Sequence, residues 1–590
     1  MTYRRTWTWE FDAPRERLWK YVADTDWVNE HAGLPPIEAR FEPLPEGGAR
    51  RIGRFSKGPF VVEWEERPAV WKAPEFFVVE RVYRRGPLAR FRTRNTLEPS
   101  APGTRVIVEV ELDAASPLLR PLLPLLAARG KRGADRAFAL AASLAKRDER
   151  SPENGVDLGA FAPLAQAGID RTIVSALAAH VAAAEDRDVA RMRPYELADR
   201  WKASRRETLR AFLTATRLGL LNLSWNVLCP GCRGPAPGSE SLEDLHAGYH
   251  CDACNLTYDP AFDRSVEVTF DARPLGRTAE AGLFCLASPQ RSAYVHAQSV
   301  LPPHEERSLR LALPQGSYRV NAVGAGSIGF VASEEEPDRA LRATIAAGGE
   351  VDAGQSVGSG DVVLTIANEL DREAIVRVED GRWPDTIATA AQVTALAEFR
   401  DLFSSQVLAP GFEMSIQTLA ILFTDLVGST AIYNRTGDAP AFRIVSDHFD
   451  VMREIVARHE GAIVKTIGDA VMAVFTDPRK CFEAALTLDE SVRPIVAGGE
   501  PLRLRAGFHA GPCIAMRAND RIDYFGTTVN LAARLQKLAG PGEVTLARSV
   551  AEWPAIADLL ARLTISTVRE SLELKGFPQR IDVVRVAARS

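Results

Sequence analysis

Apolar and polar positions alternate from the first residues of the chain. Tyr3, Arg5, Trp7, Trp9 and Phe11 interleave with Arg4, Thr6, Thr8 and Glu10. This period of two predicts a strand with one aromatic face. Asp12 then caps a helix that opens near Pro14. The alternation returns over residues 60–66, 75–83 and 105–112, and an Ala/Leu-rich stretch over 116–146 predicts a long helix. Three helical patterns follow at 169–184, 194–201 and 204–218, then a strand at 220–228. Ser204 with Glu207 forms a capping box, and Gly219 stops the third helix. Short strands at 266–270, 309–313, 318–323, 362–366 and 374–378, parted by turn residues, predict a β-sandwich. An apolar stripe of Val393, Leu396, Phe399, Leu402 and Phe403 predicts one amphipathic helix over 386–407. The apolar run 418–424 ends at Asp425, two β runs flank Gly468-Asp469, and a helix follows Gly526. The pattern divides the chain into pieces at 1–147, 158–228, 229–260, 262–382, 386–411 and 416–588.

Composition narrows the class. The 590 residues are 46% hydrophobic and 25% charged, with a net charge of −5, which excludes collagen, a disulfide scaffold and wholesale disorder. The mild acidity excludes nucleic-acid binding by bulk charge. Residues 191–217 do hold eight Lys/Arg against three Asp/Glu; a solvated or protein-facing surface is the favoured reading of that patch over contact with DNA. The opening residues lack the apolar core of a signal peptide, and the most apolar stretch, 117–128, is short and carries Arg120 and three prolines. A multidomain cytoplasmic protein without a membrane span is expected.

Four of the seven cysteines lie in two CxxC knuckles, Cys229/Cys232 and Cys251/Cys254, eighteen residues apart. That spacing fits a tetrahedral Zn²⁺ site, structural because four thiolates leave no open position. His246 and His250 are read as bystanders, and Cys285, Cys481 and Cys513 as buried thiols.

Chemistry concentrates in the last piece. Asp425 ends a strand before Leu426-Val427-Gly428, where a carboxylate can hold an ion and Gly428 lets backbone N–H groups approach phosphate oxygens. Asp469 sits at a hairpin tip, and two carboxylates plus substrate phosphates suit Mg²⁺. Asn530 and Arg534 fall four residues apart on one helix face.

Four resemblances follow from these residues. The order of strand, short helices, antiparallel sheet and long helix over 1–147 resembles the helix-grip fold of the START/polyketide-cyclase-like (SRPBCC) superfamily. That family implies a cavity for a small apolar ligand, although the alternating tryptophans more often fill a core. Residues 158–228 resemble a winged helix-turn-helix and 229–260 a zinc ribbon. The motifs FTDLVGST, KTIGDAVMAVF, RAGFHAG and DYFGTTVNLAARL closely resemble the class III nucleotidyl cyclase catalytic domain.

The last resemblance implies a ferredoxin-like βαββαβ core that works as a homodimer with two Mg²⁺ or Mn²⁺ per site. It implies that Asp425, Asp469 and the backbone carbonyl of Leu426 hold the metals, and that Lys465 and Asp523 select the base. It implies that Asn530 and Arg534 stabilise the transition state, with Gly428 and Lys575 toward the triphosphate. Adenine presents an N1 acceptor and an N6 donor, matching a donor at Lys465 and an acceptor at Asp523. Guanine reverses both and leaves buried groups unmet, at about 1–3 kcal/mol each. The expected reaction is ATP to cyclic AMP and pyrophosphate. The alternatives are a guanylate cyclase, or a DNA-binding regulator with an inert cyclase-like domain. His509 is expected to pack, not to act as a base.

Overall fold

The computed structural model describes residues 2–45, 47–57, 60–101, 103–146, 157–277, 292, 294–346, 351–563 and 567–587. Strand Tyr3–Phe11 forms as the alternation predicts and pairs antiparallel with Thr104–Ala114, Tyr3 opposite Leu112. Its aromatic face meets helix Leu123–Lys146. The Trp9 ring stands edge-on to Phe138 at 5.1 Å, and its Nε1 donates to Asp135 at 2.8 Å. Two short helices, Arg15–Val22 and Thr25–His31, precede the remaining strands, the second capped by Asp24 accepting from the Trp27 amide. Leu18, Trp19, Trp27, Phe77 and Phe138 form one buried core between these helices and the sheet.

The sheet continues beyond this unit. Strand Val70–Lys72 pairs with Val295–Leu301, Trp71 opposite Gln298, so the pieces expected as separate domains share one 13-stranded sheet. The buried Gln298 amide donates to the Ala69 carbonyl at 2.7 Å across this seam. A second sheet of Glu306–Leu313, Gly360–Asn368, Ala340–Ile345 and Val351–Ala353 covers the C-terminal part of the first. Leu311, Leu364, Val320, Phe330 and Val376 fill the resulting sandwich.

Strand Val266–Asp271, expected within the β-rich piece, belongs elsewhere. It pairs with Asn222–Val227, and both knuckles lie in the connection between the two strands. All six of its residues are buried, so no alternation marks which sheet it joins. Glu267 is fixed there by Arg191 and by Arg193, the latter at 3.0 Å. Helices Arg171–Ala183, Pro194–Trp201 and Arg205–Arg217 pack around this ribbon.

The linker helix is broken. Residues Ala390–Thr394 and Ala397–Leu402 are helical, but Leu396 between them is extended (φ −89°, ψ 136°). Arg400 Nε donates to the Thr394 carbonyl at 2.8 Å, which a continuous helix would have offered to the Glu398 amide.

The C-terminal sheet runs Gly461–Ile467, Ala470–Phe475, Glu413–Leu426, Leu504–Ala518, Glu543–Ala547, Ile581–Ala587, Thr567–Leu572. Its first four strands have the expected ferredoxin-like order. Helices Asp438–Arg458 and Pro478–Val492 pack on one face through Met452, Phe482, Leu422 and Phe508. On the other face Ile421, Phe423, Met472 and Val474 join one core with linker residues Val393 and Phe399 and with Phe212 and Trp225 of the helical unit. No helix among the described residues is long and apolar enough to cross a membrane.

Candidate functional site

Asp425, next to last in strand Glu413–Leu426, lies opposite Arg505. One carboxylate oxygen accepts from Arg505 Nε at 2.9 Å, from Arg505 Nη2, and from Gln536 Nε2 at 3.2 Å. The pairing of Thr424 with Val471 sets Asp425 and Asp469 at the same end of neighbouring strands. Gly468, at φ +66°, turns the chain so that Asp469 sits in the turn just before return strand Ala470–Phe475. Asp469 Oδ2 is buried with no hydrogen-bond partner among the described residues. A buried carboxylate oxygen without a partner is costly, and a bound cation would compensate it. Two hard oxygen donors side by side, one of them orphaned, fit Mg²⁺ or Mn²⁺.

Leu426 closes the strand with its side chain buried, and Gly428 (φ +73°) opens helix Ser429–Thr436. Gly428 supplies the positive φ at this N-cap, and a helix N-terminus favours an anion.

Lys465 and Asp523 meet. Lys465 Nζ lies 2.5 Å from Asp523 Oδ2, while Asp523 Oδ1 accepts the Tyr524 amide at 2.8 Å. The ammonium also lies 5.5 Å from the centre of the Phe525 ring. Strands Gly461–Ile467 and Arg521–Phe525 supply the two partners from positions 58 residues apart.

Asn530 and Arg534 lie on helix Thr527–Leu538, and neither has a side-chain hydrogen bond or ion pair among the described residues. Their helix is seated by Leu531, Ala532 and Leu535 and by Gly507, where a Cβ would come within 2.0 Å of the Gln536 amide. Gln536 points to Asp425. At roughly 100° per residue, Arg534 is turned about 200° from Gln536, so the Asn530/Arg534 face looks away from Asp425 of the same chain. Lys575 is exposed, on a turn whose Leu574 packs against Leu531 and Leu535 of that helix.

His509 lies opposite Ile421 on the linker-covered face. Burial pushes its pKa down to about 4, so it is neutral near pH 7, as expected of a packed histidine. Sequence reading missed Arg505 and Gln536 as partners of Asp425. The signal for Arg505 was its place in RAGFHAG, a charge in an apolar strand.

The four knuckle cysteines come together, their Sγ atoms all within 4.8 Å of one another. Cys232 and Cys251 are 3.6 Å apart, and the Gly231 amide donates to Cys229 Sγ at 3.3 Å. A tetrahedral Zn²⁺ with bonds of about 2.3 Å needs sulfurs about 3.8 Å apart, so the donor set fits. Hydrogen bonds from the other thiols hold Cys251 well below the ordinary thiol pKa. His246 stacks on Tyr249 and His250 faces Thr257, so neither joins the cluster. The cluster is also a junction. Cys254 O accepts from the Gly48 amide at 3.0 Å, and Cys232 O accepts from Tyr294 Oη at 2.5 Å. Cys481 and Cys513 are buried, the latter raised to about 12 by burial; Cys285 lies outside the described residues.

Six of the eight cations in the 191–217 patch are ion-paired within the chain. Arg191 and Arg193 hold Glu267, Arg200 pairs with Glu196, Arg205 with Asp199 and Asp385, Arg206 with Glu398, and Arg210 with Glu207.

Comparison with known proteins finds similarity over the same part of the chain. Residues 413–584 match the adenylate and guanylate cyclase catalytic domain family, and residues 158–283 match a family of unknown function, DUF5939. An uncharacterized protein of Mycobacterium tuberculosis is 35% identical over 144 residues, 24% of this chain and 36% of that protein. Adenylate cyclase 2 of Rhizobium meliloti is 31% identical over 227 residues, 35% of this chain and 61% of that one. The chain thus spans less than two thirds of the length of these relatives. Among solved structures, the adenylyl cyclase CyaB from P. aeruginosa is 20% identical, covering 30% of this chain and 97% of that one, with a TM-score of 0.27.

Proposed function

Residues 413–584 being an adenylate and guanylate cyclase catalytic domain, we propose that the chain converts ATP to 3′,5′-cyclic AMP and pyrophosphate at two sites shared by a homodimer. The observation that carries this reading is the Lys465–Asp523 pair, 2.5 Å apart between strands Gly461–Ile467 and Arg521–Phe525. It offers one donor and one acceptor side by side, the complement of the adenine edge when Lys465 meets N1 and Asp523 meets the N6 amine. A guanylate cyclase would need the reverse order of donor and acceptor.

In the reaction the ribose 3′-hydroxyl loses its proton and its oxygen bonds the α-phosphorus. The bridging oxygen to the β-phosphorus leaves with pyrophosphate. Asp425, Asp469 and the Leu426 carbonyl would hold two Mg²⁺ or Mn²⁺, which lower the hydroxyl pKa and neutralise the triphosphate. Arg505 and Gln536 fix the Asp425 carboxylate from two sides. Arg534 of the second chain brings a permanent cation to the charge growing on the α-phosphoryl oxygens, and Asn530 orients the ribose without adding charge. Gly428 would let backbone amides, and Lys575 an ammonium, approach the outer phosphates.

The N-terminal units are read as regulatory. The helix-grip-like unit at 1–147 is filled with aromatic side chains, and any ligand it takes is small and apolar. The four cysteines hold one structural Zn²⁺ that fastens the winged-helix-like unit to both β units. The ion-paired state of the 191–217 patch favours a protein-facing role over DNA.

The test is Asp469→Asn in the full chain with ATP and Mn²⁺. Cyclic AMP formation should fall by at least about a hundredfold. Turnover unchanged by this substitution would refute the assignment.

A further inference from the structure

Strand Arg521–Phe525 carries Asp523, and the residues on either side of Asp523 are held from outside the catalytic domain. Arg400, on linker helix Ala397–Leu402, donates from Nη1 and Nη2 to the Ile522 carbonyl, each at 3.3 Å. Its Nη2 also reaches Tyr524 Oη at 3.4 Å, as does Thr394 Oγ1 from the preceding helix. Ile522 and Tyr524 are both buried and belong to the core shared with the linker. Among the described residues Arg400 has no carboxylate partner; its donors are spent on Thr394, Ile522 and Tyr524. The Arg400 guanidinium carbon also lies 5.7 Å from the centre of the Tyr524 ring.

We propose that Arg400 is a positioning residue for base recognition: it sets the strand that aims Asp523 and so tunes discrimination between adenine and guanine nucleotides. Two links support this. Asp523 takes the Tyr524 amide on one oxygen and Lys465 on the other, so a shift of Tyr524 moves the acceptor offered to a base. The linker itself is tied to the helical unit, because Glu398, two residues before Arg400, pairs with Arg206 at 2.8 Å. Movement of helix Arg205–Arg217 therefore reaches the base-reading pair through Glu398 and Arg400. Arg400 touches no substrate in this account. Its effect lies on which nucleotide is bound, and not on the chemical step.

The inference rests on the reading that Asp523 selects the base, and the experiment separates the two. Full-length wild type, Arg400→Ala, Arg400→Lys and Asp523→Asn are assayed with ATP and with GTP. Equilibrium competition of the two nucleotides for each protein is measured alongside. Arg400→Ala should raise KM for ATP with kcat within about twofold, and lower the ATP/GTP ratio of kcat/KM about tenfold, or about 1.4 kcal/mol. Arg400→Lys should recover part of the ratio, because an ammonium can still reach the Ile522 carbonyl. Asp523→Asn should lower the ratio at least as far. A ratio unmoved by Arg400→Ala, with Asp523→Asn effective, overturns the inference and leaves the base-reading pair intact. A ratio unmoved by Asp523→Asn overturns the base-reading assignment, and the inference with it. If Arg400→Ala does not fold, Arg400→Lys and Arg400→Gln carry the test, and an unchanged ratio in both overturns it.

Discussion

Asn530 and Arg534 face away from the Asp425 of their own chain, because Gln536 of the same helix is the residue that reaches that carboxylate at 3.2 Å. A site that uses Asp425, Asp469 and Arg534 on one nucleotide must therefore take them from two chains. The perturbation is a pair of variants, Asp469→Asn and Arg534→Ala, each pure and then mixed. Each alone damages both sites of its dimer and should lose at least about a hundredfold in rate. Equal amounts exchanged to equilibrium give heterodimers as about half of all dimers. In each heterodimer one site carries both lesions and the other carries neither. Intact sites are then about one quarter of the total, so activity should rise from near background to about 25% of wild type. The assay is cyclic AMP formation by the mixture, with two affinity tags to isolate heterodimers, in which about half of the sites are intact. Proven heterodimers no more active than the two parents would refute the shared site.

Three further outcomes follow from other parts of the molecule. Metal analysis of the purified chain should find about one zinc ion per chain, lost in Cys254→Ser. Gly507→Ala should displace helix Thr527–Leu538, because its Cβ would meet the Gln536 amide at 2.0 Å; a loss of about 1–3 kcal/mol by denaturant titration, with a fall in activity, checks this. His448 is fully buried and its pKa is pushed from 6.5 to about 4 by burial. The unfolded chain binds that proton first on acidification, so stability is full above about pH 6.5 and falls toward pH 4, by up to about 3 kcal/mol. His448→Phe should flatten that slope in a pH series of melting curves.

Much of the candidate site was legible because its residues sit at strand ends and turns, which carry sequence marks. Asp425 after an apolar run, Gly468-Asp469 between two β runs, and Asn530 and Arg534 at helical spacing announce themselves in that way. The Lys465–Asp523 contact was legible through the resemblance, since nothing local joins residues 58 positions apart. Arg505 was not, because its partner depends on strand register, which pairs it with Asp425 across the sheet. Register also hid the seam at Trp71 and Gln298, made by a strand of three residues. Strand Val266–Asp271 was misplaced because both its faces are buried and alternation vanishes. The break at Leu396 was invisible because the apolar stripe continues through it; the long-range contacts of Arg400, not local propensity, decide it.

Lys465 and Asp523 are proposed to read adenine in an adenylate cyclase. The most direct test is product analysis after the full chain is incubated with ATP and GTP in competition, with Mg²⁺ or Mn²⁺. Cyclic AMP and pyrophosphate should form in equal amounts, with ATP the preferred substrate. Cyclic GMP as the main product, or no cyclic nucleotide from either substrate, would contradict it.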